Sequence, residues 1–355
     1  MAAAKELGDV LKYFRGSAVF TLVCLALAAW LGFSTGGATA ALATTWICLM
    51  LAVLEISLSF DNAVVNAVVL KDMDPVWQKR FLTWGMLIAV FGMRILFPLL
   101  IVAVAAKIGP FEALRLAIEE PVNYQHIIEG AHAGIMGFGG AFLLLVGLKF
   151  FFDSDKEHDW IKVIEEPLKK FSNVEAFKIV LTVAALFLVA ELVDDPATGR
   201  QFLIAGILGI VTFFAVELLG HVLEQPRASG EVQRAGLGAF MYLQVLDASF
   251  SFDGVIGAFA LSNNLFVIAL GLAIGAMFVR TLTILMVERE TLAEYRYLEH
   301  GAFWAIIVLA VIMLTSVLYE VPEVVTGLIG ALLIGLSLVS SVKHNRKHEA
   351  DDVTP

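Results

Sequence analysis

Ten apolar stretches, each close to the length of a bilayer-crossing helix, leave this chain very few possible folds. They run at about 17–34, 40–70, 82–107, 128–152, 176–193, 201–222, 237–261, 264–287, 301–319 and 322–342. About 20 apolar residues carry an α-helix across the hydrocarbon. Inside it every backbone N–H and C=O must be satisfied by the protein itself, which only helices and closed barrels achieve. No stretch alternates apolar with polar residues as a barrel strand does. Composition agrees, with 59% hydrophobic and 16% charged residues and a mean hydropathy of +0.84, the balance of a membrane protein. The expected fold class is therefore all-α: a polytopic transmembrane helix bundle of about ten spans.

Lysine and arginine orient it. With the N-terminus in the cytoplasm, 19 of the 24 Lys and Arg residues fall in inner segments and 3 (Lys107, Arg115, Arg200) in outer ones. That asymmetry follows the positive-inside rule and places both termini in the cytoplasm, with 343–355 as a short tail. The remaining two, Arg94 and Arg280, lie inside spans. Lys5, Lys12 and Arg15 before an apolar run, and Ala38-Thr-Ala40 after it, trace the outline of a signal peptide; an uncleaved first span is the preferred reading. The inner segment 153–175 sets Trp160, Ile161, Ile164, Leu168 and Phe171 at helical spacing among charges, the pattern of an amphipathic connector lying on the membrane surface. A net charge of −10 without a basic cluster excludes a nucleic-acid footprint. Cys24 and Cys48 form neither a disulfide framework nor a metal spacing.

Two stretches 192 positions apart nearly coincide: Glu55-Ile-Ser57-Leu-Ser59-Phe-Asp61-Asn62 and Asp247-Ala-Ser249-Phe-Ser251-Phe-Asp253-Gly254. Gly85 and Gly271 in the following spans each precede an arginine, Arg94 and Arg280, by nine residues. The motifs fall in spans 2 and 7. Five spans is an odd number, so the copies face opposite ways. That is an inverted-topology repeat, 1–195 (including the inner segment 153–175) against 196–342, the arrangement of many secondary transporters with a midplane site.

An acid inside the membrane is costly and is read as functional. Glu55, Asp61, Asp247 and Asp253, with Ser59, Ser251 and Asn62, make an all-oxygen donor set suited to Mn²⁺, Ca²⁺ or Mg²⁺. Arg94 and Arg280 are the candidate counter-ions, and Phe60 and Phe252 gate or pack. On a regular helix the two acids of a copy lie on different faces. Their convergence needs irregular winding near Ser57–Phe60 and Ser249–Phe252, which is tolerated where it lines a cavity. Acid–arginine pairs also serve as glue between helices, and an organic cation would use the same charges. His126, Glu129 and His132, like Glu217, His221 and Glu224, read as interfacial polar residues before access-route metal sites. Gly134, Gly137, Gly139 and Gly140, with Gly206 and Gly209, read as close helix packing. No Ser/His or zinc-type motif at membrane depth supports an enzyme.

The residues Ser59-Phe-Asp61-Asn62, Ser251-Phe-Asp253, Arg94, Arg280 and Gly140-Ala-Phe-Leu-Leu-Leu-Val-Gly147-Leu-Lys149 resemble the TerC family, within the wider group of cation exporters related to the LysE lysine exporters. The resemblance covers about 40–152 and 237–320. It implies a bacterial inner-membrane protein, export of a divalent cation with manganese foremost, and a historical link to tellurium resistance. It carries over Asp61 and Asp253 as ligands, with Glu55 and Asp247 beside them. Two features depart from the family: Gly254 stands where the first copy has Asn62, and the span count exceeds the family's usual number. The expected activity is divalent metal export by alternating access, with no permanently bound cofactor. The lipid bilayer and the metal ion are its partners. A non-transporting membrane scaffold, or an exporter of an organic cation or amino acid, is the alternative.

Overall fold

The structure, a computed structural model, describes residues 10–85, 87–153, 156, 158–169, 174–223, 236–289, 291–319 and 321–352. It is 89% helical, with no strand among the described residues. The helices are α1 (Arg15–Leu58), α2 (Phe60–Lys71), α3 (Pro75–Arg80), α4 (Phe97–Ala106), α5 (Pro110–Glu119), α6 (Pro121–Phe151), α7 (Lys162–Lys169), α8 (Glu175–Leu192), α9 (Pro196–Leu223), α10 (Gly236–Leu261), α11 (Leu265–Glu288), α12 (Thr291–Glu294), α13 (Leu298–Thr315) and α14 (Glu323–Asp352). Two π-helical stretches, Phe81–Gly85 and Ile88–Leu96, lie between α3 and α4. Among the described residues, seven helices are long and apolar enough to cross a membrane. The protein is a multi-pass membrane protein.

Sequence punctuation explains the boundaries. Proline opens α3, α5, α6 and α9, since its missing N–H would be unsatisfied there in any case. Asp195 caps α9 by accepting from Thr198 N–H at 2.9 Å. Hydrogen bonds from the Thr198 hydroxyl, then from the Thr198 and Ala197 N–H groups, hold its carboxyl below the ordinary range. Asn264 caps α11 by accepting from Phe266 N–H at 3.0 Å.

The chain folds as two compact units, each drawing on both halves of the sequence. One comprises Met1–Ser59, Pro75–His132 and Leu243–Leu285; the other comprises Phe60–Asp74, Ala133–Tyr242 and Met286–Pro355.

In the first unit the 44 residues of α1 are two arms joined at Gly36 (φ −154, ψ 21) and Gly37 (φ 70, ψ −157). Only glycine takes the Gly37 conformation without strain. Thr44 Oγ1 of the second arm donates to Ala28 O of the first at 2.9 Å. Cys24 and Ala28 from one arm, and Cys48 and Ala52 from the other, share a core with Val267 and Ile274 of α11. Ser17 Oγ also pairs with Thr281 Oγ1 on α11 at 2.7 Å. The arms account for the expected spans 17–34 and the start of 40–70.

In the second unit α6 and α9 meet backbone to backbone: Gly137 faces the Phe202 carbonyl and Gly209 faces the Phe138 carbonyl, so closely that neither site admits a Cβ. α2 packs against α13 and α14, and α13 against α14. Within the segment read as amphipathic over 153–175, the described residues form a helix at Lys162–Lys169, with Phe171 outside the described residues. It is anchored by charge. Glu165, fully buried, accepts from Lys156 Nζ at 2.7 Å, Ile161 N–H at 3.0 Å and the Trp304 indole at 3.1 Å. Asp159 accepts from Lys169 at 2.9 Å. Burial alone would raise the Glu165 carboxyl, but the hydrogen bonds from Lys156, Ile161 and Trp304 outweigh it and hold the group below the ordinary range.

Candidate functional site

The first motif copy lies on a helix that breaks. At Ser59 the backbone leaves helical geometry (φ −104, ψ 15), although its N–H still reaches Glu55 O. α2 begins afresh at Phe60. The second copy does not break: α10 is one helix from Gly236 to Leu261, so the irregularity expected at Ser249–Phe252 is absent. A difference in hydrogen bonding accompanies this. Ser59 Oγ donates to Glu55 Oε1 at 2.9 Å, whereas Ser251 Oγ, its counterpart, is buried with no partner among the described residues.

Glu55, 1% exposed, is paired with Arg94, 5% exposed. Both described hydrogen bonds to its carboxylate, from Ser59 and from Arg94 Nη2, fall on Oε1. Oε2 faces α10 at Gly254, where an added Cβ would stand 3.0 Å from it. The stem of Glu55 packs on α11 at Gly275, with no room for a Cβ there. At the departure of the second motif from the first, Gly254 in place of Asn62, the absence of a side chain leaves room for the acid of the other copy.

Arg94 sits in the π-helical stretch Ile88–Leu96. Such wide turns recur at functional positions. Its Nη1 donates to Ala89 O and its Nε to Leu272 O of α11 at 3.2 Å. Arg280 of α11 returns the gesture, donating Nε to Leu82 O at 2.8 Å. Each motif arginine therefore grips the backbone of the other copy's second helix. The likeness ends at charge: Arg280 has no carboxylate partner among the described residues.

Asp61 belongs to the second unit. It lies in the first turn of α2, where the helix dipole favours a negative group. It is 6% exposed, accepts from Asn62 N–H at 2.9 Å, and has no basic partner among the described residues. Asn62 Oδ1 beside it is buried and lacks a donor among them. Gly330 of α14 faces Asp61, with an added Cβ standing 3.6 Å from Oδ2. At the far end of α2, Lys71 bonds Glu299 at 3.3 Å.

Asp247 is half-buried on α10 of the first unit, and the Asp253 side chain lies outside what is described. Among the described residues no three His, Cys, Asp or Glu side chains gather as a metal cage. His126 and Glu129 form an exposed pair at 3.5 Å. Glu217 bonds Lys149 at 2.6 Å and lines, with His221, a cavity of about 340 Å³ in the second unit; Glu224 lies outside the described residues. One residue escaped the sequence reading. Gln244, 6% exposed, has neither amide atom partnered among the described residues. A buried amide three positions before a motif acid was the signal available.

A family model described as "Protein of unknown function (DUF475)" matches residues 60–348. No curated protein and no solved structure matches the chain.

Proposed function

The chain belongs to the DUF475 family of proteins of unknown function, and within it we propose a transporter that moves a divalent metal cation across the membrane, manganese foremost. Calcium and magnesium fit the same oxygen donors. The observation that carries this reading is Asp61, an acid buried in the first turn of α2, within the apolar run 40–70, with no basic partner among the described residues and an unpartnered Asn62 Oδ1 beside it. Such a carboxylate calls for a counter-cation or a proton. The proposed ligands are Glu55, Asp61, Asp247 and Asp253, with Asn62, Ser59 and Ser251. Arg94 neutralises Glu55 when no metal is bound, and Arg280 is the second cationic group of the motif. The metal is cargo, without a resident cofactor or catalytic chemistry. The resemblance of the motif residues to the TerC family supports manganese, export, and a bacterial inner membrane with both termini cytoplasmic.

Helix-locking by acid–arginine pairs is the rival, and the Glu55–Arg94 pair is what favours it. Asp61 separates the two. In cells under excess Mn²⁺, Asp61→Asn preserves shape and removes charge. The transport reading expects normal protein levels with cellular manganese raised severalfold, as in the deletion strain. Unchanged manganese content with Asp61→Asn would leave only the locking role.

A further inference from the structure

α10 presents a polar row to the interior of the first unit. At 100° per residue, Gln244, Asp247, Ser251 and Gly254 fall within an arc of roughly 80°. Their ten-residue span rises about 15 Å, about half the hydrocarbon thickness. Both ends are pinned by packing. Gln244 Nε2 lies against Gly85, where an added Cβ would stand 2.9 Å away, and Gly254 lies against Glu55 Oε2, with an added Cβ at 3.0 Å.

The row is undersatisfied. Gln244 Oε1 and Nε2 and Ser251 Oγ are buried without hydrogen-bond partners among the described residues, and each residue is only 6% exposed. Unmet polar groups of this kind are costly and are retained where water or a ligand fills them. The first copy has nothing comparable. Ala52 stands where Gln244 does, buried in an apolar core, and Ser59 spends its hydroxyl on Glu55. We propose that this α10 face is a ligand file along which a partly hydrated divalent cation is passed to the free edge of the Glu55 carboxylate, with the Gln244 amide oxygen as its first protein ligand. The inference rests on the transport reading. The donors in sequence are an amide oxygen, a carboxylate, a hydroxyl and a carboxylate, the oxygen set that replaces water around a hard dication. Gln244 Nε2, turned to Gly85, leaves Oε1 for the ion.

The test uses the full chain in proteoliposomes with Mn²⁺ as probe. Gln244→Leu is expected to lower Mn²⁺ flux about tenfold or more, and Ser251→Ala severalfold. A second measurement does not depend on flux. With Cys24 and Cys48 replaced by alanine, Gln244→Cys and Ser251→Cys should react with a charged, water-soluble thiol reagent and be protected by Mn²⁺. Ser249→Cys, on the opposite face, should stay silent. Wild-type flux with Gln244→Leu unchanged, or with cysteines at 244 and 251 as silent as that at 249, overturns the file alone. A wild-type chain that moves no Mn²⁺ overturns the transport reading and the file with it.

Discussion

Replacing Arg94 with methionine removes the guanidinium and leaves Glu55, 1% exposed, with a charge it can neither solvate nor pair. Breaking one side of a buried ion pair costs about 3–5 kcal/mol, which is roughly two to four powers of ten in the folding equilibrium. The total stability of a typical domain is only about 5–15 kcal/mol. The hydrogen bonds from Arg94 to Leu272 O and Ala89 O are lost as well, at about 1 kcal/mol each. Glu55→Gln alone strands the arginine instead and should be damaging too. The double variant Glu55→Gln/Arg94→Met buries no charge. It should recover most of the loss, giving a coupling energy of about 2 kcal/mol or more. Equilibrium unfolding of the four proteins by denaturant titration in mixed micelles measures the cycle. Losses that add, with the double variant the least stable of the four, would refute a pair that matters through burial.

The packing of Glu55 makes a second expectation: Gly275→Ala collides with its Cβ and Cγ and should cost about 1–3 kcal/mol by overpacking, read in the same titration, while Gly220→Ala, which meets nothing within 4 Å, stays near neutral. Gly37→Ala strains a glycine-only turn at φ 70 and should lose about 1–3 kcal/mol, visible as a lower melting temperature in detergent. The docking of 156–169 should depend on acid. Because the folded-state Glu165 carboxyl is held below its ordinary value, its contribution is present in full at neutral pH and lost as pH falls below about 4.3. Proteolysis of the segment should therefore accelerate on acidification, and Glu165→Gln should be fast already at pH 7; a segment equally protected at both pH values in the wild type would contradict this.

Much of the fold was legible because lipid imposes it. Apolar runs of span length force helices, and the helices of the structure follow those runs, some of them, such as Pro121–Phe151 and Glu323–Asp352, overrunning the run by several residues at one end. Leu298–Thr315 stands where 301–319 was expected, and Glu323–Asp352 where 322–342 was. The irregular winding that convergence of Glu55 and Asp61 requires near Ser57–Phe60, inside the long run 40–70, is present as a break at Ser59. The second motif, equally serine-rich, continues as a helix, a difference that the serine pattern does not foretell. In the segment 153–175 the apolar spacing marked a helix, found at Lys162–Lys169, but did not reveal that Glu165 and Lys156, ordinary charges in the sequence, are buried anchors.

Composition and charge order decided the class of this protein, since hydrocarbon leaves a chain of this kind no other way to satisfy its backbone. They also decided where the intramembrane acids and arginines stand along it. Partnership was decided only in three dimensions. Nothing in the spacing says that Arg94 meets Glu55 across 39 positions, that Arg94 and Arg280 each grip the other copy's backbone, or that Gly254 lies beside a carboxylate from elsewhere in the chain. Those contacts join residues remote in sequence. They depend on which helix faces lie together, a property of packing that hydrophobic periodicity leaves open when helices are apolar on every side.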